Sequence, residues 1–193
     1  MKMKIDNLLH TVAINIKNKS AVLELGCGSG ELINAVAEKF DGLNKIVAVD
    51  CIDRPEKLNK KVEFIKQDIE NLNISGTFDL VILSQVLEHV KNPLGLLLSI
   101  KKNLNPYGRI LIIVPNRRGF NNEARTYWPE HGKHYFLWDK ESLEFSLNRI
   151  GFTCRFYNLY VAASHNIFLR YIPILLRLQN PNLSCVATVD VDK

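Results

Sequence analysis

Cysteine is scarce in this 193-residue chain: Cys27, Cys51, Cys154 and Cys185 form no C-x-x-C pair, and no histidine stands near them at metal-ligand spacing. That argues against a zinc module or a disulfide-stapled scaffold, and no metal triad is evident in the sequence. Reduced thiols in a cytoplasmic protein are the expectation. Long hydrophobic runs are also missing. The most apolar stretch, Ile167 to Leu178, is interrupted by Arg170, Pro173 and Arg177, and it falls short of the roughly 18–20 residues a spanning helix needs. Met1 to Lys4 is basic but leads into no apolar signal core, so neither a transmembrane segment nor a secretory signal is expected. Charge of one sign is modest, with 25 Lys and Arg against 20 Asp and Glu. The basic residues are scattered in short pairs such as Lys60-Lys61 and Arg117-Arg118, whereas a nucleic-acid binder gathers them into a stripe, so no nucleic-acid partner is expected.

What is present reads as one folded domain over residues 1–193, with a hydrophobic fraction of 47% typical of globular chains. Ile5, Leu8, Leu9, Val12 and Ile16 share a helical face. Short apolar runs at Ala21 to Leu25, Ile46 to Val49, Val62 to Ile65, Phe78 to Leu83 and Arg109 to Val114 read as strands, with several of the intervening segments helical. Glu31 to Phe40 has helical spacing, and Asn92 before Pro93 marks the start of a helix through Leu94 to Leu104. Asp139 can cap a helix carrying Leu143, Leu147 and Ile150, and two more strands fit around Thr153 to Val161 and Ser184 to Val191. Strands apolar on both faces and alternating with helices predict a doubly wound α/β fold, a Rossmann-like sheet with helices on both faces.

The strongest local signal is Val22 to Glu31, VLELGCGSGE: a strand, a glycine-rich turn and a helix. Such a turn lets backbone approach a ligand at a helix N-terminus, although a bare strand-to-helix turn has the same pattern. The spacing of Gly26, Gly28 and Gly30 is G-x-G-x-G, with Glu31 where a dinucleotide fingerprint wants glycine, and no phosphate-loop lysine follows. Glu24, two residues before the first glycine, is poorly suited to a pyrophosphate. Its carboxylate suits a cationic ligand such as S-adenosylmethionine, which has an ammonium, a sulfonium and no phosphate.

Glu24, Gly26, Gly28 and Gly30 resemble motif I of the class I S-adenosylmethionine-dependent methyltransferases. The resemblance continues in order to Asn116, so it covers most of residues 22–116. It implies S-adenosylmethionine as cofactor, with Asp50 at the ribose hydroxyls, Asp68 at the adenine amino group and Ile69 as an apolar contact. Ser84 and Gln85 would line the methionine end, and Cys27 and Cys51 would be small packing residues beside the cofactor. Leu104 to Asn116 is similar to the fifth-strand segment of that family, with Tyr107 where a second glycine is common. A weaker likeness over His134 to Phe152 is to small-molecule enzymes such as the ubiquinone-biosynthesis O-methyltransferases. The resemblance further implies a seven-stranded sheet with its last strand antiparallel.

Ligands of such sheets bind beyond the carboxyl ends of the strands. The loop 115–138 and the insertion 166–178 are therefore the acceptor-side segments. The insertion has three readings: a lid, a self-association surface that would make a homodimer, or a membrane-surface contact. Methyl transfer needs alignment and exclusion of water more than elaborate machinery. A general base helps if the acceptor is a hydroxyl, and His134, then His131, are the candidates, with His89 as a loop-holding residue behind them. Aromatic residues of the loop and Arg117, Arg118 and Arg125 could contact the acceptor. A small-molecule acceptor, of lipid-like or glycan type, fits the little chain left for recognition. The alternatives are a nucleic-acid or protein methyltransferase and a non-catalytic cofactor-binding module of the same fold.

Overall fold

The computed structural model of the chain describes residues 5–118, 134–157 and 182–190. Seven strands form one sheet: β1 (Ala21–Leu25), β2 (Lys45–Asp50), β3 (Glu63–Lys66), β4 (Phe78–Ser84), β5 (Leu104–Pro115), β6 (Phe152–Tyr157) and β7 (Asn182–Val189). Their order is β3-β2-β1-β4-β5-β7-β6. The pairs from β3 through β5 are parallel, and β7 runs antiparallel to both β5 and β6. The doubly wound sheet with an antiparallel last strand agrees with expectation. The chain leaves β1 toward β2 and β3, then crosses back to β4 on the other side of β1. This reversal opens a crevice at the carboxyl ends of β1 and β4, where open α/β sheets bind ligands.

Burial on both faces explains the continuous apolar strands: every residue of β1 is buried. Helices α1 (Ile5–Ala13) and α2 (Glu31–Lys39) cover one face, where Leu8, Val12, Ile33 and Val36 pack with Val22, Leu80 and Ile82. Helices α3 (Pro93–Lys102) and α4 (Lys140–Arg149) cover the other, where Leu97, Ile100, Leu143 and Leu147 pack with Leu23, Val81 and Ile112. The Asn92 side chain accepts from the Gly95 amide at 3.0 Å, and Asp139 and Ser142 form a reciprocal capping box.

The structure adds to the sequence reading and trims it in places. Helix α1 stops at Ala13 rather than reaching Ile16, because the Asn15 side-chain amide takes the Thr11 carbonyl at 2.6 Å and its backbone amide folds back to Val12. Among the described residues no α-helix joins β2 to β3 or β3 to β4; the second link has only a 3-10 turn at Ile69–Asn71. Strand β5 begins at Leu104, and its pairing with β4 shifts register between Phe78 and Leu80. Beside that irregularity Tyr107 adopts φ +69°, which accounts for glycine being common at the position in the family it resembles.

The ends of the 115–138 loop are drawn together by a parallel bridge between Asn116 and Trp138 and by the Arg117 amide donating to the Trp138 carbonyl at 2.7 Å. Its interior, and the 166–178 insertion, lie outside the described residues. No helix among the described residues is long and apolar enough to cross a membrane.

Candidate active site

The glycine turn is held to the neighbouring strand by backbone. The Gly26 and Cys27 amides donate to the Val49 carbonyl at 2.8 and 3.3 Å, and the Gly28 amide donates to Asp50 Oδ2 at 2.8 Å. Asp50 Oδ1 also accepts from the Ile52 amide at 3.3 Å. Gly26 has φ +69°, and a Cβ there would sit 2.6 Å from Val86 Cγ2, so only glycine fits. A Cβ on Gly28 would meet nothing within 4 Å, since that position faces open space. The space is a cleft of about 540 Å³ lined by Glu24, Gly26, Cys27, Gly28, Ser29 and Ser84, with Ile5 and Leu8 of α1 closing one side.

Glu24 forms part of the wall of this cleft. It is 3% exposed, and its Oε2 has no hydrogen-bond partner. Burial pushes its carboxyl up to about 8, with the Asp50 charge adding and the Ile33 backbone amide opposing. Burial, then the charges of Glu24 and Asp50, push the Cys27 thiol up to about 12, which suits a packing residue and not a nucleophile. Cys51 is exposed, which corrects the expectation of a packed residue: it lies just beyond the end of β2, past the reach of the covering helices. Asp68 is exposed after β3, with Oδ1 accepting from the Glu70 amide at 2.9 Å, and Ile69 leans half-buried on the core. Both stand on the edge that carries Asp50, since Asp50 pairs with Lys66 and its carbonyl accepts from the Gln67 amide.

A second group of polar side chains lies past the end of β4. Gln85 has φ +57° and is exposed, and its amide donates to Asn182 Oδ1 at 3.4 Å, linking β4 to the start of β7. Glu88 is 1% exposed, and neither carboxyl oxygen has a hydrogen-bond partner. Burial pushes Glu88 up to about 7, partly offset by its own backbone amide. The His89 and His134 rings meet edge to face at 4.6 Å, and His89 Nε2 lies 4.0 Å from Glu88 Oε1. The Glu88 carbonyl accepts from the Tyr135 amide at 2.7 Å, which straps His134 against the segment that follows β4. His134 Nδ1 is buried without a partner. Burial first, and the His89 charge second, hold its pKa below the usual histidine value.

Three donor atoms, one each from Glu88, His89 and His134, thus fall within 4.8 Å of one another. They could share a proton or surround a small cation. The chain spacing showed no such set, because His134 comes from beyond the long loop. Glu88 was missed as well, although an acidic residue inside the apolar run from Val86 to Val90 was a usable signal.

Other sequence candidates are claimed by the fold. Arg118 pairs with Glu141 at 3.0 Å and, with Arg117, lies near Asp139, so both arginines serve the α4 N-terminus. Phe136 stacks on the buried Trp138 with ring centroids 5.6 Å apart, in the core. His131 and Arg125 lie outside the described residues.

Comparison with known proteins agrees with this architecture. The family model described as "Methyltransferase domain" matches residues 1–155. The mitochondrial ubiquinone biosynthesis O-methyltransferase of Schizosaccharomyces pombe is 28% identical over 104 residues, covering 50% of this chain and 38% of that protein. The corresponding enzyme of Dechloromonas aromatica is 30% identical over 115 residues, covering 54% and 48%. The aligned part is thus about half or less of these relatives' length. Among solved structures, the plantazolicin methyltransferase BpumL, in complex with a desmethylPZN analog and SAH, superposes with TM-score 0.72 at 17% identity, covering 98% of this chain and 86% of that one. The methyltransferase domain of a bacterial CtHen1 gives 0.66 at 17% identity, covering 97% and 98%. With a family match across most of its length and a seven-stranded sheet of the expected order, the chain belongs to the methyltransferase-domain family and has the class I S-adenosylmethionine-dependent fold.

Proposed function

We propose that the chain transfers the methyl group of S-adenosylmethionine to a small-molecule acceptor by direct in-line displacement. The carrying observation is the buried Glu24 Oε2, without a hydrogen-bond partner, in the wall of a cleft roofed by the glycine turn. That oxygen welcomes a cationic donor and repels phosphate, as expected for a cofactor with an ammonium, a sulfonium and no phosphate. The residues fit the group in other respects. Asp50 spends part of its acceptor capacity on the Gly28 amide and keeps the rest for ribose hydroxyls. Asp68 and Ile69 stand toward the adenine end, Ser84 and Gln85 toward the methionine end, and Cys27 and Cys51 beside the turn. When bound, the cofactor supplies an electrophilic methyl group on sulfur.

The chain's own residues align the acceptor and take its proton. His134 is our choice of general base: burial lowers its pKa and so favours the neutral ring, the form that can accept a proton. Edge contact with His89 fixes the ring, and His131 is the reserve candidate. The acceptor is a hydroxyl-bearing small molecule of lipid-like or glycan type, a reading favoured by the names of the curated relatives. A cytoplasmic setting and a homodimer complete the reading, the first supported by four free thiols.

Calorimetric titration tests the cofactor: saturable binding of S-adenosylmethionine and S-adenosylhomocysteine is expected, and no binding of either at millimolar concentration overturns the assignment. Transfer of labelled methyl to a panel of hydroxylated lipids and glycans identifies the acceptor class.

A further inference from the structure

Glu24 lies in a setting unlike that of an ordinary cation-binding carboxylate. Asp50 faces it from β2, the Cys27 thiol from the turn, and Glu31 at the start of α2 lines the same cleft. The uncharged Ser84 comes from β4, and the apolar Ile5 and Leu8 come from α1. None of these groups is basic. An ionised carboxylate at 3% exposure, facing like charges and lacking a hydrogen bond on Oε2, is strongly disfavoured in the ligand-free cleft.

We propose that Glu24 is a proton-linked sensor of the cofactor's charge: it stands as a neutral acid in the empty cleft and ionises when the cationic methionine end arrives, releasing one proton to solvent. The proposal rests on the cofactor reading above. The balance is simple: the carboxylic acid loses its proton to water, the carboxylate faces the ligand's cation, and no other bond changes. A rise from the ordinary 4.5 to about 8 agrees with a group protonated at neutral pH. Selectivity follows from the same step. An adenosine derivative without a cation leaves Glu24 protonated, and a phosphate meets no compensating charge, so charge complements shape in choosing the ligand.

Linkage gives the direction of the pH effect. Affinity for S-adenosylmethionine should rise about tenfold per pH unit while Glu24 is protonated in the free protein, and level off above about pH 8. The direct test is titration calorimetry of the full chain with S-adenosylmethionine at pH 7 in phosphate, HEPES and Tris, whose ionisation heats differ. The expected result is an observed enthalpy that varies linearly with buffer ionisation heat, its slope reporting close to one proton released. In Glu24→Gln, shown folded by circular dichroism, the slope should fall to near zero and affinity should stay flat from pH 6 to 8. Wild-type binding with zero slope overturns the proposal, as does proton release that survives in Glu24→Gln. If that variant does not fold, the wild-type affinity profile decides, and a flat profile overturns the proposal. Failure of the wild type to bind either S-adenosylmethionine or S-adenosylhomocysteine has a different signature and overturns the cofactor reading itself.

Discussion

Glu24 and Glu88 are both buried carboxyls pushed well above the usual range, yet the regions around them are built differently. Around Glu24 most of the lining comes from residues 24–32, with Ile5, Leu8 and Ser84 completing it, and backbone bonds from the turn to Val49 and Asp50 set its shape. Around Glu88 the residues come from two segments far apart in the chain, 88–89 and 134–136. The buried His134 Nδ1 and both Glu88 oxygens lack hydrogen-bond partners there. Buried polar atoms are normally satisfied, so these three atoms stand out. The contrast separates two kinds of construction. One region is shaped by backbone bonds within a turn, the other by side chains that tertiary contacts bring together.

The largest expected effect probes the cradle without a ligand. Because the folded-state pKa of Glu24 lies above its unfolded value, the folded protein binds the extra proton between them. Stability is therefore highest below about pH 4.5 with respect to this group and falls as pH rises to about 8. The span corresponds to about 5 kcal/mol, and Glu24→Gln should remove that slope in scanning calorimetry across pH 5 to 8. On the other side, His134→Ala should slow methyl transfer by roughly 10²–10⁴-fold while leaving cofactor affinity unchanged. Equal loss of both would erase the division between the regions.

Gly26→Ala tests the backbone's share. Its Cβ would collide with Val86 at a left-handed backbone position, and S-adenosylmethionine affinity should drop about 100-fold, or about 3 kcal/mol, by titration. Asp50→Asn weakens the anchor on Gly28 and the ribose acceptor together, with an expected loss of roughly tenfold in affinity. The smallest effect lies away from both regions. Tyr107 is 91% exposed at φ +69°, so Tyr107→Gly should stabilise the fold by about 0.5–1 kcal/mol in denaturant melts without altering cofactor binding.

Much of the cradle was legible because its determinants are local. Glu24, Gly26, Gly28 and Asp50 are read from a strand, a turn and the end of the next strand, and the structure lines one cleft with the first three and ties Asp50 to the turn. Asp68 and Ile69 are placed on the same edge of the sheet. Cys51 was misjudged because one residue past a strand end decides whether a side chain is covered. The links from β2 to β3 and from β3 to β4 were left unassigned for a related reason: short links with apolar residues do not reveal whether they pack as helices or turns.

The order of motifs along the chain therefore determined the fold family and the glycine-turn cleft, since hydrophobic period, caps and glycine positions act within a few residues of themselves. Tertiary structure decided the rest. The Tyr135 and Phe136 amides, both donating to the Glu88 carbonyl, bring His134 onto His89 and Glu88 from a segment far along the chain. Arg118, which reads in sequence as a candidate anion contact, is drawn to Glu141 and Asp139 by the placement of α4. Sheet register and helix docking set those neighbours, and burial among them gives Glu24 and Glu88 their unusual acidity.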